Sequence, residues 1–222
     1  MVKMPWWILL ALLLCACRRD EAPARQQAEI KTTPAPADTR PVIACFGDSL
    51  TAGFGVDSGK SYPDLLQHDL DAAGYHYRVA NLGVSGDTTQ DGLDRLPLVI
   101  AERPRFVVLE FGANDGLRGQ PVSVAAANLG QMIDMLRGAG AQVILAGITL
   151  PPNYGPEYIS RFNAIYTDLA PRFKVALIPF LLAGAAGNPN LMQPDGLHPN
   201  AEGTRVMEQN VLRILRPRLP KE

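Results

Sequence analysis

The sequence predicts an α/β fold in three layers, with a five-stranded parallel sheet between layers of helix. Three observations predict it. Five short runs are near-continuously apolar, as strands covered on both faces must be. Amphipathic stretches with helical spacing lie between them. The segments just past the first three runs, "GDSLTAG", "GVSGDTT" and "GANDGLRG", each open with glycine and carry small polar residues. Sites in parallel sheets form at the carboxyl ends of the strands, so these three loops are expected to meet at one edge.

The first strand is "VIACF" at 42–46, and it stops abruptly at Gly47. Pro63 then marks a helix start, with Leu65, Leu66, Leu70 and Ala73 as its apolar stripe and Gly74 as its stop. "RVANL" at 78–82 and "FVVLEF" at 106–111 are the second and third strands. Val124, Met132, Ile133 and Leu136 make a second helical stripe, closed by Gly138. "QVILAGI" at 142–148 and "VALIPF" at 175–180 complete the sheet. Asn200 is placed to cap a last helix that carries Val206, Val211, Ile214 and Leu215.

At 222 residues and 47% hydrophobic content, the chain suits one domain with an appendage. A net charge of −1 gives no basic excess for nucleic acid and no acidic excess for a solvating, disordered chain. The appendage is N-terminal. In residues 1–17, "MVKMPWWILLALLLCAC", Lys3 supplies a positive flank to an apolar stretch of signal-peptide length, too short to span a bilayer comfortably. The stretch ends in Leu14-Cys15-Ala16-Cys17, which resembles a bacterial lipobox with Cys17 as the lipidated residue. An ordinary cleaved signal peptide and an uncleaved anchor are the other readings.

Residues 18–40 are polar, rich in Ala and Pro, and without apolar period. They read as a flexible tether with a coil reach of roughly 25 Å. The folded domain is expected at 41–222. With Cys17 lipidated and Cys15 removed, only Cys45 remains, so no intrachain disulfide can form and Cys45 reads as an inert core thiol. Arg18 is not the aspartate associated with inner-membrane retention. The expected location is therefore the outer membrane, facing the periplasm, with a soluble periplasmic protein as the alternative. A monomer is the default expectation.

Ser49 is the first candidate for chemistry. A serine hydroxyl is a weak nucleophile that needs a base and a pocket for the developing anion. A tight turn from strand to helix would expose its Oγ beside free backbone N–H groups; the same position also suits a helix cap. The chain has three histidines. His68 sits among polar residues of a helical stretch, and His76 lies in a loop between tyrosines. His198, in "QPDGLHPN", has Asp195 three residues before it. In a turn that spacing can bring the carboxylate to Nδ1, leaving Nε2 free to take the Ser49 proton; a turn with an idle histidine is the alternative. The Asn114 amide and the N–H groups of Gly86 and Ser49 are candidate oxyanion donors, although Gly86 and Asn114 also suit ordinary turns.

The four blocks "FGDSLTAG", "SGD", "GAND" and "DGLHP", in this order, resemble the signature blocks of the GDSL, or SGNH, hydrolase family. Gly-Asp-Ser-Leu alone would arise by chance in roughly one chain of this length in two hundred; four ordered blocks are far more specific. The resemblance runs from about residue 42 to 215. "SGDTTQDGLDRLP", "GANDGLRG" and "LPPNYG" narrow it to the bacterial arylesterase, acyl thioesterase and lysophospholipase subgroup. It implies a flavodoxin-like fold, no metal and no cofactor, Ser49 as nucleophile, and Gly86 and Asn114 completing the oxyanion hole. It also implies His198 as base, with Asp195 as its orienting partner. The lipobox and tether depart from the soluble periplasmic members.

Competing motifs fail. Thr51 stands where Gly-x-Ser-x-Gly needs its second glycine, and Ser58 breaks a Gly-x-Gly-x-x-Gly reading. Asp48, Asp115, Asp195 and His198 match no metal-ligand spacing. The expected reaction is two-step acyl transfer on a small-molecule or lipid acyl ester, with activity falling in acid as the histidine protonates. Leu117, Leu150 and Pro151 are expected to line the acyl pocket, although the two leucines also suit the core. Gly116 and Gly119 would let the loop between them move. The rivals are an acetyl esterase acting on polysaccharide and a non-catalytic envelope binding lipoprotein.

Overall fold

The computed structural model describes residues 38–220; the leader, Cys17 and the tether to residue 37 lie outside the described residues. The strands are β1 (Val42–Gly47), β2 (Arg78–Gly83), β3 (Phe106–Glu110), β4 (Gln142–Ala146) and β5 (Ala176–Ile178), in the order β2-β1-β3-β4-β5. Every pairing is parallel. This is the flavodoxin-like order, whose switch point lies between β1 and β3. Gly47 pairs with Gly83 on one side and Glu110 on the other, so three strands end level and their loops start from one line.

Every residue of β1 and β3 is buried, which their apolar composition requires. The helices are α1 (Ser49–Ala52), α2 (Tyr62–Ala72), α3 (Thr89–Ala101), α4 (Ala113–Leu117), α5 (Val122–Gly138), α6 (Pro156–Phe173) and α7 (Ala201–Leu215). α2 packs on α7, while α3, α5 and α6 pack in series. α2 starts at a capping box in which Ser61 and Asp64 satisfy each other's backbone N–H groups. Asn200 caps α7, accepting from Glu202 and Gly203 N–H.

Several expected details move. β5 is only three residues long, because Pro179 has no N–H to continue the ladder. On α5, Val124 is exposed and its neighbour Ala125 takes the core position, so the buried stripe runs through Leu129, Met132, Ile133 and Leu136. Two further helices close the domain. α3 opens on a capping box of Thr88 and Asp91, and lies so close to the sheet that a Cβ at Gly92 would stand 2.7 Å from the Phe111 ring. α6 starts at Pro156 and ends where Lys174 turns left-handed.

Candidate active site

β1 ends in glycine because no side chain fits there. A Cβ on Gly47 would stand 2.1 Å from Thr51 Oγ1 and 2.4 Å from Glu110 Oε2. The chain turns at once into α1, and Asp48 is the N-cap, accepting from Leu50 N–H at 3.0 Å. Asp48 therefore takes the cap position that the sequence left open to Ser49. Ser49 Oγ instead lies 2.9 Å from His198 Nε2.

His198 Nδ1 lies 2.7 Å from Asp195 Oδ2. Asp195 Oδ1 accepts from the N–H groups of Leu197 and His198, at 2.9 and 3.0 Å, so the turn bonds to itself. Partial burial pushes the Asp195 carboxyl up, but the bonds from His198 and Leu197 outweigh it and leave it below the usual range. A further backbone bond, Gln193 N–H to the His198 carbonyl, closes the turn at 2.8 Å.

Of the three groups expected to donate to an oxyanion, Ser49 N–H opens α1 and has no intrahelical partner. The Asn114 amide donates to the Asp87 carbonyl at 2.9 Å and to Asp48 Oδ2 at 3.2 Å, which fixes its orientation. Gly86 precedes Asp87, at φ +90°, with open space where a Cβ would be. Its carbonyl accepts from Arg118 Nη2 at 2.9 Å, which holds the peptide. Ser49, Asn114, Leu117, Leu150, Pro151 and His198 line one cavity of about 90 Å³; Gly86 is not among its walls.

The expected movable loop is tied down. Gly116 is buried in α4, and a Cβ there would stand 2.5 Å from Leu150 Cδ2 and 2.9 Å from the Phe162 ring. It is a packing glycine, not a hinge. Tyr154 Oη donates to the Leu117 carbonyl at 2.8 Å, and Tyr158 Oη to that of Gln120 at 3.0 Å. Asp115 is engaged as well, by Thr89 N–H and Oγ1.

Two residues that shape the site escaped the sequence reading. Arg95 binds Asp87 Oδ2 at 2.6 Å and the carbonyls of Leu82 and Gly47 at 2.7 Å each, and lies 4.4 Å over the Phe46 ring. One planar fork thus ties together the ends of β1 and β2 and the loop that follows. Glu110 is fully buried. Its Oε2 accepts from Asp48 N–H at 3.1 Å and from Thr51 Oγ1 at 2.8 Å, while Oε1 has no partner. Burial pushes Asp48 up to about 6 and Glu110 well above the carboxylate range, with the Asp48 charge adding to the latter. Two carboxyls buried side by side resist ionising together, and Glu110, the more strongly raised, is the one that holds its proton to higher pH. The only hint in the sequence was a single charge inside "FVVLEF".

The model of the GDSL-like lipase/acylhydrolase family matches residues 45–206. Esterase TesA of Pseudomonas aeruginosa is 44% identical over 178 residues, 80% of this chain and 89% of that protein. An arylesterase of Vibrio mimicus is 45% identical over 72% of this chain and 80% of its own. A thioesterase, protease and lysophospholipase of Escherichia coli is 38% identical over 82% and 86%. The crystal structure of TesA superposes with a TM-score of 0.77, covering 79% of this chain and 98% of that one. AlinE4, an SGNH-hydrolase family esterase 38% identical, has a TM-score of 0.68 over 82% and 98%.

Proposed function

The chain belongs to the GDSL-like lipase/acylhydrolase family and is a carboxylic ester hydrolase; from that premise we propose that Ser49 is its nucleophile, His198 the general base and Asp195 the group that orients the base. The observation that carries this is the unbroken line of contacts from Ser49 Oγ to His198 Nε2, 2.9 Å, and from His198 Nδ1 to Asp195 Oδ2, 2.7 Å. His198 takes the proton as Ser49 attacks the carbonyl, then gives it to the leaving group. Water repeats the cycle on the acyl-enzyme. Ser49 N–H, Gly86 N–H and the Asn114 amide hold the oxyanion, the amide giving up its longer bond to Asp48 Oδ2 and keeping the one to the Asp87 carbonyl. Asp195, ionised and fixed by two backbone N–H groups, stabilises the imidazolium that forms.

The substrates are aryl esters, lysophospholipids and acyl thioesters. The names of the relatives support this range. So does the cavity beside Ser49, whose walls include Leu117, Leu150 and Pro151. Its 90 Å³ is about three water volumes, which suits the first carbons of an acyl chain. A longer chain would leave past Leu150, which also walls an open groove along Pro152, Pro156 and Ile159. The lipobox at Cys17 supports attachment to the outer membrane on its periplasmic face, close to phospholipid. Membrane fractionation tests that point: Cys17→Ser should release the protein, and unchanged membrane association would count against the anchor.

The test of the site is hydrolysis of p-nitrophenyl esters from acetyl to long acyl chains. Ser49→Ala should lower kcat roughly 10⁶-fold and abolish labelling by a fluorophosphonate. Equal rates in both proteins would overturn the assignment. A profile limited to acetyl would move the reading to an acetyl esterase.

A further inference from the structure

The site leaves one large apolar side chain without a task. Phe54 follows Gly53, the C-cap of α1, and is 50% exposed, the only aromatic among the exposed large hydrophobic side chains of the described residues. It is also held in place. Phe54 N–H donates to the Ser49 carbonyl at 3.0 Å, and its carbonyl accepts from Gln193 Nε2 at 2.7 Å. The same Gln193 amide donates to the Pro199 carbonyl at 2.8 Å, so the Phe54 backbone is fastened to the turn that carries His198. Gly55, at φ +74°, makes room for this, since a Cβ there would stand 2.2 Å from Gln193 Oε1. The Phe54 and His198 rings are 4.7 Å apart, centroid to centroid, tilted by 45°.

Exposing so much apolar surface at a rigid position is unfavourable in the free protein, and a ligand that covers the ring removes the cost. Phe54 is not a wall of the cavity beside Ser49, so it is not placed to hold the acyl chain. It packs on the imidazole that hands a proton to the departing group. In acylation, the Ser49 Oγ–carbonyl bond forms, the ester C–O bond breaks, and the proton held on His198 Nε2 passes to the departing oxygen. That oxygen must come within hydrogen-bond reach of Nε2. With Phe54 4.7 Å from the imidazole, a phenyl ring attached to that oxygen and turned toward Phe54 can reach the 4.5–7 Å at which aromatic pairs attract.

We propose that Phe54 is the wall of a leaving-group subsite for aromatic alcohols and thiols, separate from the acyl cavity. The subsite rests on the roles proposed above for Ser49 and His198. Phenyl acetate and hexafluoroisopropyl acetate test it, because they share one acyl group and their alcohols are of similar acidity, yet only one leaving group is aromatic. Phe54→Leu in the full chain should lower kcat/KM on the phenyl ester about 2- to 12-fold, the worth of one aromatic pair. The fluoroalkyl ester should change by less than 2-fold, and Phe54→Tyr should restore the phenyl ester. Equal losses on both esters would make Phe54 only a shield for the Ser49–His198 bond and overturn the proposal, as would no loss on either. Hydrolysis of both esters that survives Ser49→Ala would instead overturn the assignment of the nucleophile, a result visible without any Phe54 variant.

Discussion

Removing the Glu110 carboxyl should loosen the turn that presents Ser49, and the size of the effect follows from its bonds. In Glu110→Ala the buried Asp48 N–H loses its acceptor, at a cost of about 1–3 kcal/mol. Thr51 loses one too, but Tyr62 Oη stands 3.3 Å away and can take its place. Adding about 1 kcal/mol for the cavity gives a loss near 2–4 kcal/mol, or roughly 4–16 °C in Tm for a domain of this size. Glu110→Gln should behave differently. Its carbonyl oxygen can accept both bonds, and its amino group replaces an oxygen that has no partner. At pH 4 it should match the unsubstituted protein within about 1 kcal/mol.

The sign of the pH effect separates the two forms further. Burial raises the Glu110 carboxyl in the native protein above its ordinary value of 4.5. The native state therefore holds a proton that the unfolded chain releases, and stability from this source is full below about pH 4.5 and is lost as pH rises towards the native value. Glutamine has no proton to lose, so Glu110→Gln should gain on the unsubstituted protein as pH rises from 4 to 8. Unfolding by denaturant across that range measures it. A Glu110→Ala loss below 1 kcal/mol, or a Glu110→Gln difference that stays flat or falls with pH, would refute the reasoning.

Two other outcomes follow. Asn114→Ala should lower kcat by about 10²–10³ with KM little changed, because the amide meets the substrate oxygen only as it becomes charged; steady-state kinetics on one short ester measures it, and a change confined to KM would count against the role. Gly116→Ala should push Leu150 into the acyl cavity, since the new Cβ would lie 2.5 Å from Leu150 Cδ2. It should cost about 1–3 kcal/mol in stability and lower kcat/KM more for octanoyl than for acetyl esters, as a chain-length series would show.

The sequence was most legible where function depends on neighbours in the chain. The Asp195–His198 pair is local, and three residues of spacing in a turn suffice to join it. The strand-end loops were legible through the sheet, because near-continuous apolar runs imply parallel strands and parallel strands gather their carboxyl ends. Ser49 was ambiguous because it and Asp48 are both capping residues side by side; only the folded turn shows which of them caps. Glu110 was not legible, since its partners Thr51 and Asp48 lie 59 and 62 residues away; Arg95 was not, since its bond to Asp87, eight residues away, looks like any surface pair and its tie to Gly47 spans 48 residues. Gly116 looked flexible because a sequence does not show that a leucine and a phenylalanine stand opposite it. On α5, one residue of phase separated Val124 from the buried Ala125.

On the roles proposed above, the base and its orienting carboxylate ride together on the self-bonded turn at 193–199, whereas the nucleophile and its anion donors stand just past the ends of β1, β2 and β3. A local opening of that turn, far cheaper than unfolding the sheet, removes both members of the pair at one stroke and leaves Ser49 in place. An acyl group already on Ser49 at that moment cannot be hydrolysed, because the water that should release it has lost its base. Mild denaturant would thus not simply slow the protein; it would convert a catalyst into a single-use reagent, loaded with its last substrate until the turn closes again.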